Sequence, residues 1–244
     1  MDTHKIVSRE EWTTARKALL AKEKELLRAS DALAAERRQL PWVRIDKSYV
    51  FDGPTGKETL ADLFAGRSQL LVQHFMMGPD WEEGCPGCSF GADGLSGSVV
   101  HLINHDVMVV AISRAPLPRI QAFQKRMGWT SKWVSSFDCD FNFDFNVSFT
   151  EADKAQGKAY YNYEIRDYMS DELPGYSTFL KDEAGQVFHT YSTFARGTER
   201  LGGTFGALDI MPKGRNEPPG TNLGSWVRHH DKYEDQPGNS WCHS

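Results

Sequence analysis

The chain has 244 residues, 40% hydrophobic and 25% charged, with a formal net charge of −5. That is a globular composition with room for a sizeable core; its acidic balance gives no electrostatic basis for binding nucleic acid or an anionic membrane, and no apolar run reaches the roughly 20 residues that span a bilayer. Four cysteines are too few for a disulfide scaffold and the opening MDTHKIVSREEW has no signal-peptide apolar core, so the expected compartment is the cytoplasm, with the thiols reduced.

Residues 8–39 (SREEWTTARKALLAKEKELLRASDALAAERRQ) place Trp12, Ala15, Leu19, Leu20, Leu26 and Leu27 roughly at helical spacing among charged residues, which predicts an amphipathic helix. Ser8 with Glu11 forms a candidate capping box, Pro41 follows the end, and Ser30 or Asp31 is a candidate restart. Residues 1–41 are therefore expected to be an N-terminal helical arm. Its apolar stripe needs burial, either on its own domain or in a homodimer contact.

From Trp42 the pattern becomes that of an α/β domain, expected over residues 42–212. WVRIDKSYVFDGPTGKETLADLF predicts a strand pair turning at Asp52-Gly53-Pro54 and then a short helix. SQLLVQHFMM (68–77) and DVMVVAIS (106–113) are apolar enough for strands buried on both faces. Between them SFGADGLSGSVVHLINH predicts a helix striped by Leu95, Val99, Leu102 and Ile103, although Gly91, Gly94 and Gly97 weaken it by about 1 kcal/mol each. Pro116 or Pro118 opens a further helix with Ile120, Phe123 and Met127 on one face. The phenylalanines of SSFDCDFNFDFNVSF are expected to pack, with Cys139 as a structural thiol. YSTFLKDEAGQVFHTYSTF predicts a hairpin turning at Asp182 to Gly185, and residues 213–244 an irregular C-terminal extension. Strand–helix–strand–helix followed by a hairpin is a βαβ half joined to an antiparallel pair.

The candidate site is GPDWEEGCPGCSFG (78–91). Cys85 and Cys88 follow a central strand and open a helix, the edge of an open α/β sheet where sites collect. Pro86 suits the first helical position, which makes Cys85 the N-cap and Cys88 the third helical residue. Unpaired N–H groups and the positive dipole end there favour a thiolate, whereas Asp80, Glu82 and Glu83 oppose one if they face the sulfurs. Three readings stay open: a thiol–disulfide pair, a copper(I) site with His189 as third ligand, and two inert thiols. His74 is expected to be a core histidine. His229, His230, His243 and Cys242 sit in a polar tail that carries little signal.

The segments EEWTTARKALLAKEKEL, RRQLPWV, YVFDGPTGKETLADLFAGRSQLLVQHFMMGPDWEEGCPGCSF, ISRAPLPRIQAFQKRMGW, WVSSFDCDFNFDFNVSF, ELPGYSTFLKDEAGQVFHTYSTFARG and WVRHHDKYE span nearly the whole chain. On them it resembles the thioredoxin-like domain-of-unknown-function family 899. The resemblance implies a thioredoxin fold, a mixed central sheet flanked by helices. Cys85 and Cys88 match the thioredoxin Cys-x-x-Cys spacing. Gly84 stands where thioredoxins carry a Trp, and Tyr176 falls near their cis-proline position, with Pro174 two residues earlier. Cys85-Pro86 is similar to the peroxiredoxin Cys-Pro, with Glu82 where those proteins carry Thr. Cys85, Cys88 and His189 are similar in kind to the ligands of the copper chaperones of cytochrome oxidase assembly.

The expected function is a thiol–disulfide oxidoreductase needing no cofactor. Cys85 attacks and Cys88 resolves the mixed disulfide; Trp81, Phe90, Pro174 and Tyr176 frame the substrate face; the partner is a small thiol or a protein disulfide. The alternative is copper(I) held by Cys85, Cys88 and His189.

Overall fold

The computed structural model describes residues 4–217 and 224–233. The chain divides into two compact units at Pro41/Trp42. The first is one helix, α1 (Arg9–Arg37), which runs through Ser30 and Asp31 without a break. Its capping box forms as the sequence dictates: the Ser8 hydroxyl accepts from the Glu11 N–H at 3.2 Å, and the Glu11 carboxylate accepts from the Ser8 N–H at 3.0 Å. No described helix is long and apolar enough to cross a membrane.

The second unit opens with β1 (Val43–Arg44) and the hairpin β2 (Val50–Gly53) and β3 (Gly56–Thr59), followed by a 3₁₀ turn over Asp62–Phe64. Then come β4 (Gln69–His74), α2 (Pro86–Ser96), α3 (Val99–Asn104), β5 (Val107–Ser113), α4 (Leu117–Arg126) and β6 (Lys132–Ser135). Two short helices, α5 (Phe141–Asp144) and α6 (Glu151–Gln156), lead into a separate hairpin, β7 (Lys158–Tyr161) and β8 (Glu164–Asp167). The long hairpin β9 (Gly175–Lys181) and β10 (Val187–Phe194) and helix α7 (Gly203–Asp209) follow.

Eight strands form one sheet in the order β1-β10-β9-β4-β5-β6-β2-β3. β4, β5 and β6 run parallel, while β9 pairs antiparallel with β4 and β10 with β9. The segment β4-α2-β5 with β9-β10 on the far side of β4 is a thioredoxin-like core; β6 and the β2–β3 hairpin extend it on one edge and β1 on the other. β4 has neighbours on both sides and helices or loops over both faces, which explains why Leu70, Leu71 and Val72 are consecutive apolar residues and why even Gln73 and His74 are buried. Leu70 and Val72 enter one core with Phe141, Phe145 and Phe179, whereas Leu71 and Phe75 enter the opposite layer against α2 and α4. The phenylalanines after β6 pack as their density suggests: Phe141, Phe145 and Phe149 are buried, Phe143 lies under the Arg114 guanidinium at 4.3 Å, and Phe137 stays exposed. Cys139 is half-buried at the edge of that core.

Within the C-terminal extension, residues 224–233 are irregular as expected apart from a 3₁₀ turn at His230–Lys232. Residues 224–233 form a strap fastened to the loop before α2 and to α2 and α4. Val227 and His229 are buried; His230 Nδ1 contacts Asp93 Oδ1 at 2.8 Å, and Asp231 pairs with Arg126 at 2.7 Å.

Candidate functional site

β4 ends at His74, and the chain then turns so that the Cys85 N–H donates to the Met76 carbonyl at 2.9 Å. Gly84 makes the turn possible. A Cβ there would lie 2.3 Å from the Phe75 ring and 2.8 Å from Phe123, so a bulky residue in its place would displace the aromatic cluster that supports the loop. Trp129 and Trp133 extend that cluster, stacked at 5.0 Å. The Gly84 carbonyl accepts from His229 Nε2 at 2.7 Å, which fixes that tautomer and ties the strap to the residue preceding the cysteines.

Cys85 is the N-cap of α2 and Pro86 its first helical residue, as the sequence dictates. Ser89 closes the turn: its N–H and its hydroxyl donate to the Cys85 carbonyl at 2.9 and 3.0 Å. Both cysteines are free thiols, Cys85 partly exposed and Cys88 buried. They share one proton unequally. The Cys88 thiol donates to Cys85, and the N–H groups of Cys88 and Gly87 add their dipoles. Together these outweigh burial and bring Cys85 down to about 6. The same contact, with burial and repulsion from the Cys85 charge, pushes Cys88 well above an ordinary thiol. At neutral pH the pair is therefore a Cys85 thiolate beside a protonated Cys88.

The acidic residues ahead of Cys85 do not oppose this thiolate. Asp80 and Glu82 are exposed, and Glu83 is turned to Lys232 at 2.7 Å and to Arg126. Those two cations hold Glu83 below the usual carboxylate range.

The glycines of α2 have a tertiary purpose that helix propensity does not register. A Cβ on Gly91 would fall 2.6 Å from the Tyr176 hydroxyl, and one on Gly94 2.9 Å from Gly202 Cα. α2 thus lies directly on β9 and on the turn before α7. Gln73, buried in β4, donates from Nε2 to the Cys88 carbonyl at 2.9 Å.

Cys85 and Cys88 open onto a cavity of about 300 Å³ that Phe90, Pro174, Tyr176, Phe205 and Val227 also line. Three of the residues expected to frame the substrate face, Phe90, Pro174 and Tyr176, are therefore brought to the cysteines. Trp81 is not among the lining residues; it packs in the α4 layer, and its carbonyl accepts from Arg119 Nη1 at 3.2 Å. No cis peptide occurs among the described residues, so Pro174 enters β9 through a trans bond.

His189 is not brought to the cysteines. It lies on the opposite face of the sheet, edge-on to Phe145 at 5.2 Å, at the end of a buried chain of hydrogen bonds. His189 Nε2 meets Ser192 Oγ, Ser192 Oγ meets Ser177 Oγ, and Ser177 Oγ meets His74 Nε2, each at 2.7 Å. Burial lowers the pKa of both imidazoles. Among the described residues no group of three or more His, Cys, Asp or Glu has the geometry to hold a metal ion. The copper(I) set of Cys85, Cys88 and His189 expected from sequence is thus not assembled; Cys242 and His243 lie outside the described residues.

Sequence reasoning missed Glu172, which is 1% exposed. Its carboxylate accepts from Ser148 Oγ at 2.6 Å and from Arg114 Nη1 at 3.1 Å, yet burial pushes it up to about 7. Its charge is one of those that raise Cys88. Sequence reasoning also missed Phe205, Val227 and His229. A faint signal existed for the last two, since Trp226-Val227 is an apolar pair directly before His229 in an otherwise polar stretch.

The family described as "Bacterial protein of unknown function (DUF899)" matches residues 1–233. No curated protein matches the chain. Among solved structures, peroxiredoxin Q of Xanthomonas campestris is similar at 14% identity and a TM-score of 0.43, over 64% of this chain and 85% of that one. A putative thiol:disulfide interchange protein DsbE from Chlorobium tepidum is similar at 14% identity and a TM-score of 0.40, over 66% of this chain and 93% of that one. These likenesses are slight, and the fold rests on the sheet topology itself.

Proposed function

The chain belongs to this DUF899 family of bacterial proteins, and we propose that it is a thiol–disulfide oxidoreductase that works through Cys85 and Cys88. The observation that carries the reading is the division of labour within the pair: a partly exposed thiolate at a helix N-cap and a buried thiol that donates to it. An inert pair gains nothing from that arrangement. An exchange pair needs it, because the attacking group must be a thiolate and the resolving group must wait.

The Cys85 thiolate attacks one sulfur of a disulfide R–S–S–R′. A Cys85–S–R bond forms, the substrate S–S bond breaks, and R′S⁻ leaves. Forming that bond removes the Cys85 negative charge, and with it the hydrogen bond and the repulsion that held Cys88 protonated. Cys88 then passes its proton to the departing thiolate and attacks Cys85, releasing RS⁻ and closing the Cys85–Cys88 disulfide. Two electrons have moved from the dithiol to the substrate, and an external thiol restores the pair. Stabilising the thiolate stabilises the reduced form, so the couple is more oxidising than one built from ordinary thiols.

The test is a redox titration of the pair across glutathione buffers, read by mass-spectrometric thiol trapping. A reversible two-electron couple between about −120 and −270 mV, with Cys88→Ser accumulating a Cys85 mixed disulfide, is the expected result. A pair that stays reduced throughout and traps nothing would end the proposal.

A further inference from the structure

We infer that the substrate Cys85 meets is a small, uncharged, largely apolar disulfide, and that Phe205 and Val227 select it over protein disulfides. The inference rests on the exchange reading above and adds the class of molecule. In a core made of β4, α2, β5, β9 and β10 alone, the N-terminal end of α2 would face solvent, and a folded partner could lay an extended segment across Cys85. In this chain part of that face is covered, over Phe90, while Pro86 and Gly87 at the helix start stay exposed. Phe205 of α7 stands 5.1 Å from the Phe90 ring and Trp226 of the strap 5.8 Å from it, ring centre to ring centre, so three aromatic side chains meet above the motif helix. Val227, also of the strap, is buried and lines the cavity.

The cover is fastened rather than laid on. His229 holds the Gly84 carbonyl, His230 meets Asp93, Asp231 pairs with Arg126, and Lys232 with Glu83. Four consecutive residues thus hold the strap to the cysteine loop, α2 and α4. What remains above Cys85 is a cavity of about 300 Å³. That volume is at the low end for small-molecule sites, so the space itself fits a small substituent better than a bulky one.

The chemistry of the walls narrows the occupant further. Phe90, Pro174, Tyr176, Phe205 and Val227 are apolar or aromatic, and the charged side chains lining the cavity are Arg196 and Glu199, which pair with each other at 2.9 Å. A net-neutral rim offers no compensation for the charges of a polyanionic disulfide, whereas an aromatic substituent gains ring contacts and burial. Among the described residues lining the space, the Cys85 thiolate is the negative charge without a cationic partner, and it repels anionic disulfides as they approach.

The test uses the full-length reduced protein. Its reaction with dithiodipyridine, with glutathione disulfide and with insulin is followed by mass spectrometry of the Cys85 adduct. Each rate is divided by the rate of dithiothreitol with the same disulfide, which removes intrinsic reactivity. The expected order places dithiodipyridine ahead of glutathione disulfide by about tenfold or more, the effect of one well-buried ring, with insulin slower still. Val227→Trp, which fills the cavity, should remove that advantage while the far-ultraviolet circular dichroism is unchanged. A normalised insulin rate equal to or above that of dithiodipyridine overturns the inference, even if the variant fails to fold. A folded Val227→Trp with undiminished preference overturns it as well. If Cys85 forms an adduct with none of the three, the exchange reading itself has failed.

Discussion

Removing the Cys88 sulfhydryl should make Cys85 a weaker acid, and the size of the change follows from the geometry. Cys85 sits at about 6, and the largest cause is the hydrogen bond that Cys88 donates to it. A hydrogen bond to a charged group contributes about 1.5–3 kcal/mol, and one pH unit corresponds to about 1.4 kcal/mol. Cys88→Ala should therefore move the Cys85 titration up by about one to two pH units, to a midpoint of about 7–8. At pH 6.5 the thiolate fraction, and with it the rate of alkylation by iodoacetamide, should fall about three- to twenty-five-fold. The assay is the pH profile of Cys85 carbamidomethylation, quantified on its peptide. The N–H groups of Gly87 and Cys88 remain in the variant, so the midpoint should stay below that of an ordinary thiol. A wild-type midpoint near 8.5, or a Cys88→Ala profile that overlays the wild type, would refute the account of how this thiolate is stabilised. Stability must follow the same sign. A lowered folded-state value means that the reduced protein gains stability as pH rises from about 6 towards the unfolded thiol value near 8.5, by at most about 3 kcal/mol, and loses it as pH falls back through 6.

Glu172 should act in the opposite sense. Burial raises it to about 7, so its contribution is fully present below the unfolded value near 4.3 and is lost as pH rises through 7. Melting temperatures of Glu172→Gln and wild type, measured from pH 4.5 to 8, should diverge in favour of the variant towards the alkaline end; parallel curves would contradict the burial argument. His229→Ala leaves the Gly84 carbonyl without its partner and vacates a buried site against the Phe123 ring. Urea unfolding should show a loss of about 1–3 kcal/mol, and limited proteolysis should cut residues 224–233 first; a variant as stable and as resistant as wild type would mean that the strap is not held there.

The framework of the central unit was legible because its signals are local. β4 and β5 are apolar on both faces, the β9–β10 hairpin carries its turn residues at Asp182 to Gly185, and Pro86 marks where α2 starts. The N-cap position of Cys85 was legible for the same reason. What sequence could not supply was which face of the sheet a residue would take. Cys88 is borne by a helix and His189 by a hairpin strand, and by sequence pattern alone both lie next to the central strands of the sheet. The register that pairs His189 with Phe179, and Phe179 with Leu70, puts His189 on the face away from α2. A shift of one residue in that register would have reversed the outcome, and no short-range feature decides it.

The strap illustrates a second limit, and it bears on what the protein does. Residues 224–233 have no periodicity, carry several charges and follow a glycine- and proline-rich stretch, so every local criterion marks them as solvated. They are ordered by partners more than a hundred residues away: Gly84, Asp93 and Arg126. Each of those partners looked incidental by itself, a glycine in a loop and two charges on helix surfaces. Glu83 shows the consequence. Read locally it is a negative charge two residues from a thiolate and should weaken it; with Arg126 and Lys232 in place it is neutralised and becomes an anchor for the strap. The charge balance of the loop before Cys85 and the fastening of the strap thus share the same side chains. A change that loosens the strap should therefore alter both the access to the thiolate and the charge beside it.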